Sequence, residues 1–195
     1  DETVTGFRIA AGGCQQHYGL DPDITTFGKA LGCGLPVAAF VGRAEIMEAL
    51  AWGGVLHYGT QNASRIGLFA ARANLQMLTA GDAEAFRHTW RIGETLVAGL
   101  RRVFEETNTP AIIQSVGPMF QIMFTRQKRI NDYREYCEFV DRARYRAFAH
   151  ALFRHGVYMT PAAALHSVAS IVHKPDHVET TLAAARAALT EADAQ

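Results

Sequence analysis

Apolar positions along this chain change their spacing near residue 80, and the change predicts two kinds of structure. From Asp1 to about Ala80, short apolar runs such as LPVAAFVG and GVLHYGT alternate with glycines. A helical stretch then runs from about Ser64 to Leu78. That texture is α/β. In the following GDAEAFRHTWRIGETLVAGLRRVFEET, Phe86, Trp90, Leu96, Leu100, Val103 and Phe104 fall near helical spacing. Asp82 and Glu84 stand at its start, where the helix dipole favours acid, so the segment predicts a long connecting helix. Beyond it, SVGPMFQIMFT reads as a strand, residues 133–155 as a helix closed by Gly156, VYMTP as a short strand and SVASIVH as another. Pro175 opens a last helix through HVETTLAAARAALTEADA. This order predicts a small α+β domain, with a boundary near residue 105 that divides the chain into parts 1–105 and 106–195.

Composition narrows the function classes. With 195 residues, 49% of them hydrophobic, the chain can bury a real core. Lys plus Arg and Asp plus Glu number 19 each, so no basic excess attracts nucleic acid or an anionic membrane surface, and neither is expected as a partner. The sequence has no uncharged apolar run long enough to span a bilayer and no basic-then-apolar leader. Cys14, Cys33 and Cys137 are odd in number and scattered, which fits a reducing cytoplasm. The eight histidines lack zinc-type spacing, and no metal site is expected. The first residue is Asp1, in what reads as the end of a strand, so the chain is expected to be a fragment of a longer protein.

The stretch DITTFGKALGCGLPVAAF sets a single lysine, Lys29, among Gly28, Gly32 and Gly34. An amine attacks a carbonyl only when it is unprotonated and sterically open, and flanking glycines remove side chains that would block approach. Locally, a surface lysine in a glycine-rich turn reads the same way. Asp1 adds a second group. Pyridoxal phosphate becomes an electron sink when a carboxylate keeps its pyridine nitrogen protonated, so such a site needs an aspartate and a lysine at the ends of neighbouring strands. Asp1 closes one predicted strand and Lys29 follows another, with room between them for a connection and a strand.

These residues also carry a resemblance. DETVTGFR, then GGCQQHYGLDPDITTFGKALGCGLPVAAFVGR, then HYGTQNAS are similar to the cofactor-binding half of the class III pyridoxal-phosphate-dependent aminotransferases. SVGPMFQIMFT and HGVYMTP resemble that family's small domain, in the same order. The resemblance implies fold type I: an α/β protein, here the second half of the large domain plus the C-terminal α+β small domain. It implies that Lys29 holds pyridoxal 5'-phosphate as an internal aldimine and then shuttles the proton between substrate and cofactor carbons. By the same resemblance Asp1 pairs with the pyridinium, and Thr3, where the family commonly has valine, lies beneath the ring. Gly59 and Thr60 bind the phosphate, Thr60 reaching across the interface of a homodimer into the partner's site. Gln15 and His17 lie near this site in sequence.

Two departures bear on the substrate. Where the family's aminomutases carry a phenylalanine and a glutamate after the VYMTP-like strand, this chain has Ala164 and Leu165. Where a glycine-asparagine-proline turn follows the glycine-threonine pair, it reads QNASR. The family's glycine-rich phosphate cradle and ring-stacking aromatic belong to a first half not represented in this sequence. The expected function is transfer of an amino group between an amino compound and a keto acid through aldimine and ketimine stages. Intramolecular transfer, as in the family's aminomutases, is the nearest alternative, and a truncated chain acting only as a binding or assembly module is a second. The fragment alone is expected to be inactive. A natural mass well above 21.4 kDa would separate a lost first half from a short product.

Overall fold

A computed structural model describes residues 1–51 and 54–192. The chain divides into two compact units, Asp1–Arg87 and His88–Gln195. In the first unit, α1 (Gly13–Tyr18) precedes β1 (Ile24–Phe27), a single 3-10 turn (Lys29–Gly32), β2 (Ala39–Gly42) and α2 (Ala44–Ala51). β1 and β2 pair antiparallel, with Ile24 opposite Gly42 and Phe27 opposite Ala39. The backbone after Asp1 lies beside β1 through a hydrogen bond from Glu2 N–H to Thr26 O, 2.8 Å.

Helical residues Arg65–Glu106 form α3, which Ala80, Gly81, Asp82 and Ala83 interrupt with non-helical backbone. The interruption separates the predicted helix over 64–78 from the predicted connecting helix. Arg87 anchors the restart, bonding Asp82 O at 2.6 Å and the Glu84 carboxylate at 2.8 Å. The units divide at Arg87 and His88, earlier than the expected boundary near residue 105. The reason lies in the packing of α3 itself: Val97, Leu100, Val103 and Phe104 are buried in the second unit's main core.

In that second unit β3 (Ala111–Val116), β4 (Met119–Phe124) and β5 (Ser167–Val168) form an antiparallel sheet in the order β3-β4-β5. It is joined by α4 (Tyr133–Phe139), α5 (Arg142–Arg154) and α6 (Pro175–Ala192). Alternation puts Ile113, Phe120, Ile122 and Phe124 on one face, where they pack with Phe148 and Leu152 of α5 and Ala185 and Leu189 of α6. Four predicted elements differ. SVGPMFQIMFT is the end of one strand, a turn and a second strand, because Gly117 adopts a positive φ of +50° at the reversal and its Cα lies against the Trp90 indole. The helix expected over 133–155 breaks at Val140, since Asp141 caps α5 by accepting from Arg144 N–H while its own N–H goes to Phe124 O. VYMTP is not a strand, and of SVASIVH only Ser167–Val168 pairs. Among the described residues no helix is long and apolar enough to cross a membrane.

Candidate active site

β1 delivers Lys29. Its β-branched Thr25 is buried and Thr26 exposed, as strand alternation requires, and Gly28 then leads into the turn that Lys29 opens. Ala30, Leu31 and Gly32 are buried, so the neighbours anchor the backbone while the Lys29 side chain stays exposed. Asn74 of α3 reinforces the anchor: its Nδ2 donates to Ala30 O at 2.7 Å and to Leu31 O at 3.4 Å. Lys29 itself has φ +41°, a conformation costly for a residue with a Cβ and commonly found at functional positions. Among the described residues its ammonium makes no hydrogen bond or ion pair.

Asp1 is tied to the same strand. Its Oδ1 accepts from Thr3 N–H at 2.7 Å and from Thr26 Oγ1 at 3.1 Å, whereas Oδ2 has no partner among the described residues. Thr3 lies beside the lysine turn, its Cγ2 3.2 Å from where a Cβ on Gly28 would stand. Asp1, Thr3 and Lys29 thus converge on the C-terminal end of β1.

Glu2 was not singled out by sequence, and its burial explains why: a carboxylate at a chain position with no apolar period gives no local sign of going inside. It is 5% exposed and accepts from the Thr5 hydroxyl and from Gln15 N–H, the latter at 2.7 Å. Burial pushes its carboxyl up, but the hydrogen bonds from Thr5, Gln15 and Cys14 outweigh it and hold the pKa below the ordinary value. Glu2 thereby locks α1 against the segment that bears Asp1. Gln15 turns inward, its Oε1 accepting from Thr25 Oγ1 at 2.9 Å, and His17 stacks edge-on against Tyr18 with ring centroids 4.6 Å apart.

Gly59 and Thr60 sit in an exposed turn closed by Asn62 N–H on Gly59 O at 2.9 Å, and the Thr60 hydroxyl has no partner among the described residues. The segment after them, with Gln61 and Asn62, shares with Thr3, Thr26 and Phe27 a cavity of about 700 Å³. Ala164 and Leu165 belong to the second unit, where Leu165 is exposed and its N–H bonds Ala162 O at 2.9 Å.

Asn74 is the second residue without a sequence signal, except that a polar side chain interrupts the apolar face of its helix. Asn74→Ala removes the buried amide's bonds to Ala30 O and Leu31 O, leaving Ala30 O only the longer bond from Cys33 N–H at 3.3 Å, a loss of about 1–3 kcal/mol. Urea unfolding of the complete protein should show a lower midpoint with unchanged slope. An unchanged midpoint would mean water replaces the amide at no cost.

An amine free of partners, a carboxylate with one oxygen held and the other open, and a free hydroxyl suit a ligand with an aldehyde, a protonatable ring nitrogen and an anionic group. Comparison with known proteins places the chain in a family. A family model, aminotransferase class-III, matches residues 1–188. A glutamate-1-semialdehyde 2,1-aminomutase from Chloroflexus aurantiacus is 37% identical over 96% of this chain and 43% of the relative. The crystal structure of an omega-transaminase from Sphaerobacter thermophilus is similar with a TM-score of 0.85 at 29% identity, over 99% of this chain and 44% of that one. A β-phenylalanine aminotransferase from Variovorax paradoxus has the same fold, with a TM-score of 0.86 at 22% identity, over 100% of this chain and 44% of that one. The chain therefore spans less than half the length of these relatives. The superpositions show the α/β architecture expected from the sequence, the later part of a large domain followed by a small α+β domain.

Proposed function

Because this chain belongs to the class-III aminotransferase family, we propose that the complete protein is a pyridoxal-phosphate-dependent transaminase that moves an amino group between an amino compound and a keto acid. The observation that carries this reading is that the C-terminal end of β1 carries both Lys29, whose amine has no partner among the described residues, and, through Thr26, Asp1, whose Oδ2 has none there either. When bound, the cofactor supplies a protonated ring that withdraws electrons from the substrate carbon. Asp1 Oδ2 would hold the ring nitrogen and, as an anion, would favour its protonated form. Thr3 places its methyl group beside Gly28, where it would help to hold the ring. Lys29 would hold the cofactor through Nζ, and its amine would carry the proton to and from the substrate carbon. The Gly59–Thr60 turn binds the phosphate, with Thr60 serving the site of the other subunit in a homodimer.

Transfer between two molecules is favoured over internal isomerisation. An aminomutase retains its deaminated product until the amino group returns, which calls for polar groups that hold it. At the two positions where the family's aminomutases carry an aromatic and a carboxylate, this chain has Ala164 and Leu165. The 29% identity to an omega-transaminase supports the same choice, while the 37% identity to an aminomutase favours the second reading. The deciding assay offers the complete enzyme glutamate-1-semialdehyde alone, then a panel of α- and β-amino acids with a keto-acid acceptor. We expect transfer in the panel, strongest for donors with hydrophobic side chains. Rapid conversion of the semialdehyde with no transfer in the panel would establish the aminomutase instead.

A further inference from the structure

Among the described residues Glu2 is the only buried carboxylate. Its donors are the Thr5 hydroxyl and the Cys14 and Gln15 N–H groups, all neutral, so no cationic side chain offsets the cost of taking its charge out of water. The surrounding chain makes room for it. Gly13, at φ +70°, lies where a Cβ would collide with the carboxylate, and a Cβ on Gly6 would stand 2.7 Å from Glu2 O. An ion buried at this cost points to a geometry that needs holding.

That geometry is Asp1's. The bond from Thr3 N–H to Asp1 Oδ1, 2.7 Å, closes a turn whose central residue is Glu2, so the backbone torsions of Glu2 set where the Asp1 carboxylate lies. Every polar group of Glu2 is engaged. Its N–H donates to Thr26 O at 2.8 Å, its carbonyl accepts from Gly6 N–H at 2.8 Å, and its carboxylate takes the three donors above. The network closes on itself: Gln15, whose N–H meets Glu2 Oε1 at 2.7 Å, accepts from Thr25 Oγ1 at 2.9 Å, while Thr26 meets Glu2 N–H through its carbonyl and Asp1 Oδ1 through its hydroxyl. α1, β1 and the Asp1 turn thus form one hydrogen-bonded ring, in which the Glu2 side chain joins α1 to the turn.

We infer that Glu2 is a positioning residue for Asp1: by fixing the turn it keeps Oδ1 on Thr3 and Thr26 and leaves Oδ2 as the oxygen presented to the cofactor's ring nitrogen. The inference rests on the reading of Asp1 given above. The role belongs to the bonds and not to the charge, since glutamine can accept from both N–H groups through Oε1 and donate through Nε2 to the Thr5 hydroxyl oxygen. Alanine leaves all three donors buried without an acceptor and frees the turn.

The test reads the ring nitrogen directly, by its NMR shift in the complete protein loaded with isotope-labelled pyridoxal phosphate, beside kcat. Glu2→Ala is expected to move the resonance toward that of the Asp1→Asn protein and to lower kcat about tenfold, as misplacing a catalytic group does. In an Asp1→Asn background the same change should cost nothing further, because Glu2 acts only through that carboxylate. Glu2→Gln should keep the shift and, within about twofold, the rate. Should Glu2→Ala not fold, Glu2→Asp, whose shorter side chain withdraws the carboxylate from α1, takes its place with the same expectations. An unmoved resonance in the folded Glu2→Ala or Glu2→Asp protein, an equal loss on both backgrounds, or a loss in Glu2→Gln as large as in Glu2→Ala would each overturn the inference. A near-normal rate and an unmoved resonance in Asp1→Asn alone would instead remove the Asp1 reading, and this inference with it.

Discussion

Turnover of the complete protein is expected to fall by at least about 10³-fold when Lys29 becomes alanine, with the fold retained. The side chain is exposed and makes no hydrogen bond or ion pair among the described residues, so its loss removes no native interaction. The turn it opens is held by others: Asn74 grips the Ala30 carbonyl, and Ala30, Leu31 and Gly32 are buried. Alanine pays the same backbone cost as lysine at φ +41°, so that conformation does not distinguish the two. What disappears is one amine with two duties, attachment of the cofactor and carriage of the proton, and groups that act as a unit are lost together. Circular dichroism should be unchanged while the rate collapses. Borohydride reduction of the unaltered holoenzyme followed by peptide mapping should place the cofactor on Lys29. Recovery of the label on Lys128 or Lys174 would end the assignment.

Asp1→Asn in the complete protein is expected to retain the cofactor yet lose about 10²-fold or more in rate, equivalent to a few kcal/mol of transition-state stabilisation. The geometry makes this a clean substitution. Asparagine's carbonyl oxygen can still accept from Thr3 N–H and Thr26 Oγ1, the two bonds that tie Asp1 to β1. The position of Oδ2 becomes a neutral amide, which no longer favours a protonated ring nitrogen, and the electron sink weakens. The measurement is kcat at saturating cofactor beside a cofactor titration. Near-normal turnover would reduce Asp1 to a residue that merely fastens the chain to a strand.

Much of the fold was legible because it is local. Leu96, Leu100, Val103 and Phe104 recur at helical spacing, and they form the buried face of α3. Pro175 opens α6 as its missing N–H and fixed φ predict. Periodicity failed where the same pattern continues through a change of direction. SVGPMFQIMFT is apolar on both sides of Gly117, so its two strands read as one, and the hairpin exists because Ile113 pairs with Ile122 across the turn. Glycines inside α3 had no local reason either. Gly93 is explained by the Gly117–Pro118 turn, whose atoms come within 2.6 Å of where a Cβ would stand, and Gly99 by Leu182 at 2.5 Å.

At the candidate site the division is between which groups are present and which remain open. The sequence by itself supplied the candidates: one lysine among glycines directly after a strand, an aspartate upstream, and a glycine-threonine pair downstream. Residue type and near neighbours are all that such a reading needs. Only the tertiary structure decided that Asp1 engages one oxygen and leaves the other open, that Gln15 is drawn to Thr25, and that Glu2 and Asn74 are buried supports. Those outcomes depend on hydrogen-bond partners 10, 13, 25 and 44 positions away, and whether a polar group is satisfied is decided by what folding brings beside it.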